Sequence, residues 1–141
     1  MELLSDILGT FHDGTIEGIE GDSSRLVLKI SCTYLAEVEK EGNNDFLLTL
    51  SDVRVFEFQF WNKRVVEDFE LIAALYPGIG YSEIENGVIR VYCHTYEEME
   101  NEQGGELRII AKFEELNTED LKPLSPEELF ELSNKYWGKF R

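Results

Sequence analysis

Apolar and polar residues alternate through much of this chain, and the alternation is clearest at Phe56, Phe58 and Phe60. Glu57 and Gln59 occupy the positions between these rings. Side chains two residues apart point to the same side of an extended chain, so this spacing predicts a strand with one buried face. Similar alternation predicts further strands at residues 15–20, 25–33, 46–50, 81–85, 88–95 and 107–113.

Turn residues separate these segments. Asn86-Gly87 joins two alternating runs, and because both residues tolerate positive φ, the pair predicts a hairpin with a type I′ turn. Asp13-Gly14 has the composition of another turn, and we expect Ser51-Asp52 to form a bulge or a tight bend. Two polar stretches, 36–45 and 97–106, are rich in Glu, Gly and Asn, and we interpret them as loops exposed to solvent.

Helical spacing of apolar residues predicts helices at 2–8 and 66–76. A third helix begins after Ser125, which can cap it, with Pro126 at the first helical position and Glu128 placed to complete a capping box. Hairpin-connected strands combined with a few helices indicate a single α+β domain that spans the whole chain. We expect an antiparallel sheet of about six or seven strands with helices packed on one face.

Composition adds a strong negative charge. The chain has 29 Asp and Glu against 13 Lys and Arg, which gives a net charge of −16 at pH 7. Nucleic acids and anionic membranes both bind proteins through a local excess of basic residues, so we expect neither as a partner. A basic protein would instead be attracted and steered toward this chain. The alternative is that the charge serves solubility alone.

Cys32 and Cys93 lie in apolar strand patterns, and we expect buried free thiols rather than a disulfide. The sequence contains no C-x-x-C pair, P-loop, G-x-G-x-x-G or G-x-S-x-G motif, so it predicts no cofactor and no known catalytic class. No apolar run approaches the roughly 18 residues of a membrane-spanning helix. The acidic N-terminal segment is unlike a signal peptide, and we expect a cytoplasmic location.

An acidic group of residues is the first candidate binding site, and we predict that it contacts a partner protein. It comprises His12, Asp13, Glu37, Glu39, Glu41, Glu97, Glu98, Glu100 and Glu102. Its Glu residues come from the two polar stretches, which form either a clamp for a basic protein surface or simply a solvated face.

A basic and aromatic group at polar strand positions is the second candidate, a ligand face. It comprises Arg90, Tyr92, His94 and Arg108. Cationic side chains on one face of a sheet can bind an anionic ligand. Alternatively, the basic residues of the strands pair across the sheet with carboxylates such as Glu17, Glu57 and Glu114.

Residues 11–17 read F-H-D-G-T-I-E, and an alternating strand at 25–30 follows after a turn. This opening resembles the Imm50-like family of bacterial immunity proteins, which begin with an F-H-D-(G/A)-x-(I/V) segment that leads into a hairpin. The strands at 48–50 and 56–58 are also similar to that pattern, and the likeness ends near Phe60. The resemblance implies a protein that neutralises a partner toxin by binding it, and it implies no catalytic residues.

The sequence leaves two other functions open. A small-ligand or metal-dependent enzyme would use His12, Asp13 and His94, although a zinc ion needs three or four convergent ligands. A structural module would self-associate through an exposed edge of the sheet.

Overall fold

The structure, a computed structural model, describes residues 1–99 and 102–140, with the backbone alone at 96–99 and 102–103. Its four helices are α1 (Glu2–Thr10), α2 (Thr33–Glu39), α3 (Phe69–Ala74) and α4 (Pro126–Gly138). None of these helices is long and apolar enough to cross a membrane. Its seven strands are β1 (Thr15–Gly21), β2 (Arg25–Ser31), β3 (Asp45–Phe60), β4 (Val65–Val66), β5 (Gly78–Glu85), β6 (Val88–Met99) and β7 (Glu102–Thr118).

The described strands form one antiparallel sheet in the order β2-β1-β5-β6-β7-β3-β4, which confirms the predicted α+β class. Strand β2 pairs with β3 as well as with β1, so the first six strands of that order close into a ring. Between β1 and β5 the register contains a single residue pair, Thr15 and Gly78. Closure of the sheet was not predicted, because alternation does not specify which strands pair.

Strand β3 allows the ring to close because it bends in its middle. Its register with β7 shifts between Ser51 and Val55, and Asp52 has a φ of 46°. Before the bend β3 pairs with β2, and beyond it β3 pairs with β4. The irregularity predicted at Ser51-Asp52 is therefore confirmed, and it lets β3 pair with different strands along its length.

The buried apolar side chains that the structure describes form one core on the inner face of the sheet. Phe58 is fully buried there, and Phe56 packs edge-on against Phe69 of α3, with ring centroids 5.6 Å apart. Phe11, at the end of α1, contacts Phe46 of β3 at 5.1 Å. Helix α1 buries one apolar face, which comprises Leu4, Ile7 and Leu8. Burial of these alternating and helical faces is the main stabilising contribution expected for such a fold.

Local signals placed the turns and one helix start correctly. Asn86 and Gly87 have φ values of 53° and 76°, as a type I′ turn requires. The hydroxyl of Ser125 accepts a hydrogen bond from the Glu128 backbone N–H, and the Glu128 carboxylate accepts one from the Ser125 N–H. Helix α3 is shorter than the predicted 66–76 segment, because Val66 pairs with β3 as part of β4 and Asp68 then caps the helix.

The interpretation of 36–45 as a loop is wrong for its first part, which belongs to helix α2. Leu35 and Ala36 are buried against the core, and this anchorage outweighs the polar character of the residues that follow. The loop that follows the helix is itself held in place. Lys40 and Asn43 contact the Asp120 carboxylate at 3.0 and 3.1 Å.

The interpretation of 97–106 as a loop is also wrong. Strand β6 continues to Met99, and β7 begins at Glu102, which pairs with it; Glu100 and Asn101 lie outside the described residues. Gly105 does not mark a turn, because a side chain there would collide with the backbone of Gln59 on the neighbouring strand. Glycine at this position permits close strand pairing instead.

Candidate functional site

The F-H-D-G segment connects α1 to β1, and two of its four residues serve packing. Phe11 is fully buried in the core. Gly14 is buried as well, and a methyl group there would lie 2.8 Å from the carbonyl oxygen of Phe11 and 2.9 Å from that of Ser31. These contacts explain the Phe and the Gly of the motif without any binding role.

His12 fixes the relative positions of three helices. Its imidazole stacks on the indole of Trp137 in α4, with ring centroids 5.3 Å apart and 18° between the ring planes. Its Nδ1 lies 3.2 Å from the carbonyl oxygen of Gly9 in α1, and its own carbonyl accepts a 2.6 Å hydrogen bond from the Tyr34 hydroxyl in α2. Burial raises the pKa of that hydroxyl, so it stays protonated and able to donate.

Asp13 is the residue of the motif whose side chain is left open to solvent. It has a φ of 68°, a conformation that Asp tolerates better than most residues. Its backbone N–H donates to the carbonyl oxygen of Ile79 at 2.8 Å, which helps to close the sheet between β1 and β5. Its exposed carboxylate lines a surface cleft.

This cleft, which we call the acidic cleft, lies between α2, the end of α4 and the adjoining ends of β1 and β2. It has a volume of about 780 Å³, and its lining residues are Asp13, Thr15, Ser31, Thr33, Tyr34, Glu37, Val38, Glu41, Tyr136 and Lys139. Asp13, Glu37 and Glu41 are exposed, and none of the three forms an ion pair with another described residue. Three carboxylates without an ion pair among the described residues therefore surround an opening whose lining also includes the cation Lys139.

Aromatic rings form one wall of the acidic cleft. The rings of Tyr34 and Tyr136 lie 4.6 Å apart, and Trp137 packs edge-on against both. The ammonium group of Lys139 lies 5.6 Å from the centroid of the Tyr136 ring, within the range of a cation–π contact. The face of Tyr136 thus already accepts a cation from the chain itself.

The structure brings only part of the predicted acidic group together. Glu37 and Glu41 join Asp13 at the cleft, whereas the carboxylate of Glu39 is largely buried and lies 3.5 Å from Lys122. The backbones of Glu97 and Glu98 belong to β6 and that of Glu102 to β7, while Glu100 lies outside the described residues. The sequence did not predict the contribution of Tyr34 and Tyr136, because neither belongs to a recognisable motif.

On the predicted ligand face, the cations are paired with carboxylates. Arg90 and Arg108 lie directly opposite each other on β6 and β7. Arg90 donates to the nearly buried carboxylate of Glu106 at 2.6 Å and also to Glu85, and its pKa is raised mainly by the hydrogen bond to Glu106. Arg108 lies 3.6 Å from Glu57. These two basic residues therefore pair with carboxylates across the sheet, as in the alternative to an anion-binding face.

Tyr92, also on this face, belongs to a stack of three rings that we call the aromatic stack. Its ring lies between those of Tyr81, at 4.4 Å, and Trp61, at 6.0 Å, with interplanar angles of 27° and 28°. The register between β5 and β6 shifts between Ile79 and Ser82, which brings Tyr81 alongside Tyr92. No sequence signal marks this shift, so Trp61 and Tyr81 were not among the predicted site residues.

The geometry does not unite the residues of the enzyme hypothesis. His12 stacks on Trp137, whereas the His94 ring lies over Gly78 on the sheet. Among the side chains that the structure describes, those of residues 1–95 and 104–140, no three His, Cys, Asp or Glu are placed to hold a metal ion. The two cysteines are buried free thiols, as predicted, and burial raises the pKa of Cys32 to about 11 and that of Cys93 to about 12.

Comparison of the chain with protein-family models, curated proteins and solved structures gives no significant match. The resemblance of the opening segment to Imm50-like proteins therefore stands on its residues alone. The acidic cleft, the aromatic stack and the overall charge are the features of the molecule that bear on its function.

Proposed function

We propose that this protein binds a basic protein through the acidic cleft and acts as an immunity protein, inhibiting a partner toxin by that contact. The observation that carries the proposal is the convergence of Asp13, Glu37 and Glu41 on one opening without a basic partner among the described residues. Carboxylates that have no ion-pair partner at a surface opening favour binding of a cationic side chain, because binding provides that partner.

The remainder of the cleft suits the same kind of ligand. Tyr34 and Tyr136 line the cleft, and Tyr and Trp are enriched among the residues that contribute most to protein interfaces. The position of Lys139 over the Tyr136 ring marks a place where an ammonium or guanidinium group of a partner would also be stabilised. The net charge of −16 supports the proposal further, because it steers a basic protein toward the surface.

The Imm50-like resemblance supports inhibition of a toxin as the purpose of this binding. In the motif that carries the resemblance, Phe11, His12 and Gly14 have structural contacts, so Asp13 is the residue left to act at the surface. Inhibition by docking needs no catalytic group on the inhibitor, which agrees with a cleft that holds carboxylates and rings.

The test is binding to the protein encoded by the gene adjacent to the gene for this protein, measured by calorimetry at low and high salt. The cleft variant carries Asp13→Asn, Glu37→Gln and Glu41→Gln. The control variant carries Glu20→Gln, Glu70→Gln and Glu131→Gln, which are exposed and lie outside the cleft. Both variants change the net charge equally.

We expect the cleft variant to lose roughly tenfold in affinity, since each exposed ion pair contributes about 0.2–1 kcal/mol, and the control variant to lose much less. Affinity should also fall as salt is added. Equal losses in the two variants would mean that charge acts without the cleft. Absence of binding, or binding that salt does not weaken, would contradict the proposal itself.

A further inference from the structure

The aromatic stack combines exposure with rigidity. Trp61 and Tyr81 remain 54% and 58% exposed, although both rings pack against Tyr92. Single exposed apolar side chains are common on protein surfaces, but contiguous ones indicate a contact surface. Trp, Tyr and Arg are also the residues most enriched among the energetic anchors of interfaces.

Tyr92 is held in place from several directions. Its hydroxyl donates a 2.9 Å hydrogen bond to Glu83, and the guanidinium of Arg90 lies 5.4 Å from its ring centroid. Arg90 is in turn fixed by the nearly buried carboxylate of Glu106. A partner that docks on rings held in this way loses little side-chain entropy, so the contact contributes more of its energy to affinity.

The charges beside the aromatic stack favour a cation. Arg90 and Arg108 face four carboxylates, those of Glu57, Glu83, Glu85 and Glu106, so this group of paired charges keeps a surplus of two negative charges. The guanidinium of Arg90 already lies against the Tyr92 ring. A planar guanidinium both stacks on an aromatic face and is attracted to it electrostatically, so an arginine suits the neighbouring rings.

The aromatic stack and the acidic cleft lie on the same outer face of the sheet. One row of register partners crosses four strands, from Thr15 through Gly78 and His94 to Gly104. Thr15 lines the acidic cleft, and a side chain added at Gly104 would lie 3.2 Å from the indole nitrogen of Trp61. Three strand spacings amount to about 14 Å, which a single protein partner can span.

We infer that the partner-binding surface extends from the acidic cleft along this row to the aromatic stack, and that the stack binds an arginine side chain of the same basic protein. The inference rests on the proposed function in taking the partner to be a basic protein. A second copy of this chain is disfavoured as the occupant, because two surfaces of like charge repel.

The test uses octa-arginine as the probe and follows the indole N–H signals of the full chain by ¹H–¹⁵N NMR. The chain has two Trp residues, Trp61 in the aromatic stack and Trp137 packed against the two cleft tyrosines, so Trp61→Phe and Trp137→Phe assign the two signals. Octa-lysine is the comparison peptide. We expect octa-arginine to shift the Trp61 signal saturably and octa-lysine to shift it less, because an ammonium group does not stack.

Variants of Tyr81 test whether the ring itself contributes. We expect Tyr81→Leu to weaken the octa-arginine response of Trp61 by about two- to fivefold, as an exposed cation–π contact predicts, and Tyr81→Phe to retain it. Leu71→Ala is the matched control, because Leu71 is also 58% exposed but lies on α3. All of these variants keep the net charge, so attraction by charge alone does not distinguish them.

The two Trp signals distinguish the possible outcomes. A shift of Trp137 without a shift of Trp61 would overturn the inference while leaving the acidic cleft as the proposed site. A shift of Trp61 that Tyr81→Leu and Leu71→Ala leave equally strong would also overturn it. Movement of neither signal would count against both proposals, and movement of Trp61 alone would support the aromatic stack and count against the cleft.

Discussion

The imidazole of His12 lies against the indole of Trp137, with ring centroids 5.3 Å apart and nearly parallel planes. One residue belongs to the connection between α1 and β1, and the other to the C-terminal helix, so this contact joins the two ends of the chain. Asp13, the neighbour of His12, and Tyr136, the neighbour of Trp137, both line the acidic cleft. The geometry of the cleft therefore depends on a contact that no local sequence pattern predicts.

The first prediction concerns the coupling between these two rings. In a double-mutant cycle of His12→Ala and Trp137→Ala, we expect a coupling of about 0.5–1.5 kcal/mol in the free energy of unfolding, as for other stacked aromatic pairs. Urea denaturation of the four proteins measures it. Additive effects of the two substitutions would mean that the stack contributes nothing beyond separate burial. Trp137→Phe should retain part of the coupling.

The second prediction compares the effect on stability of alanine substitution at Gly14 and at Gly18, two glycines near the start of β1. Gly14→Ala should lower the free energy of unfolding by about 1–3 kcal/mol, because the added methyl group meets two backbone carbonyl oxygens that cannot move freely. At Gly18 the nearest atom to an added methyl group is Cβ of Lys29, at an ordinary 3.5 Å.

Gly18→Ala is therefore the matched control, and we expect no loss of stability or a gain of up to about 1 kcal/mol from the stiffer unfolded chain. Urea midpoints of both variants and the parent protein provide the measurement. If Gly14→Ala is as stable as the parent protein, the steric explanation for the glycine of the F-H-D-G segment is wrong.

The third prediction is a pH dependence at the start of α4. Hydrogen bonds from the backbone N–H and the side chain of Ser125 lower the pKa of Glu128 below its ordinary value of 4.5. A lowered folded-state pKa means that the unfolded chain binds the proton more tightly. The stabilisation is therefore fully present well above pH 4.5 and is lost as the pH falls through the folded-state value.

Urea denaturation between neutral pH and about pH 3 tests this dependence, and Glu128→Gln should flatten the acid side of the profile. Ser125→Ala should lower stability at neutral pH by about 1 kcal/mol, and Ser125→Thr should retain most of it, because Thr also caps helices. A profile for Glu128→Gln that parallels the parent protein would contradict the assignment.

Local sequence patterns predicted most of the helices and strands, but they predicted the correct length for fewer of them. Alternation identified the strand with Phe56, Phe58 and Phe60, and Asn86-Gly87 and Ser125 identified a hairpin and a helix start. The polar stretches were misread because composition reports exposure only on average. Burial of Leu35 and Ala36 creates α2, and cross-strand pairing extends β6 and β7 through residues that resemble a loop.

The candidate site was predicted in part. Asp13, Glu37 and Glu41 were chosen for their charge, and they meet because α2 lies beside the connection between α1 and β1. Tyr136, Trp61 and Tyr81 were missed, since an aromatic residue in a sequence does not reveal whether its ring is buried or stacked in the open. Arg90 and Arg108 were chosen for their position on one face, but their carboxylate partners lie on other strands or beyond a hairpin turn.

The sequence by itself determined the class of the fold, the turns that separate its strands and the acidity of the whole molecule, because each of these follows from neighbouring residues or from composition. The tertiary structure decided the closure of the sheet, the pairing of Arg90 and Arg108 with carboxylates, and the placing of the acidic cleft and the aromatic stack on one face. These depend on strand register and on contacts between residues far apart in the chain, and a shift of one residue in register moves a side chain to the opposite face.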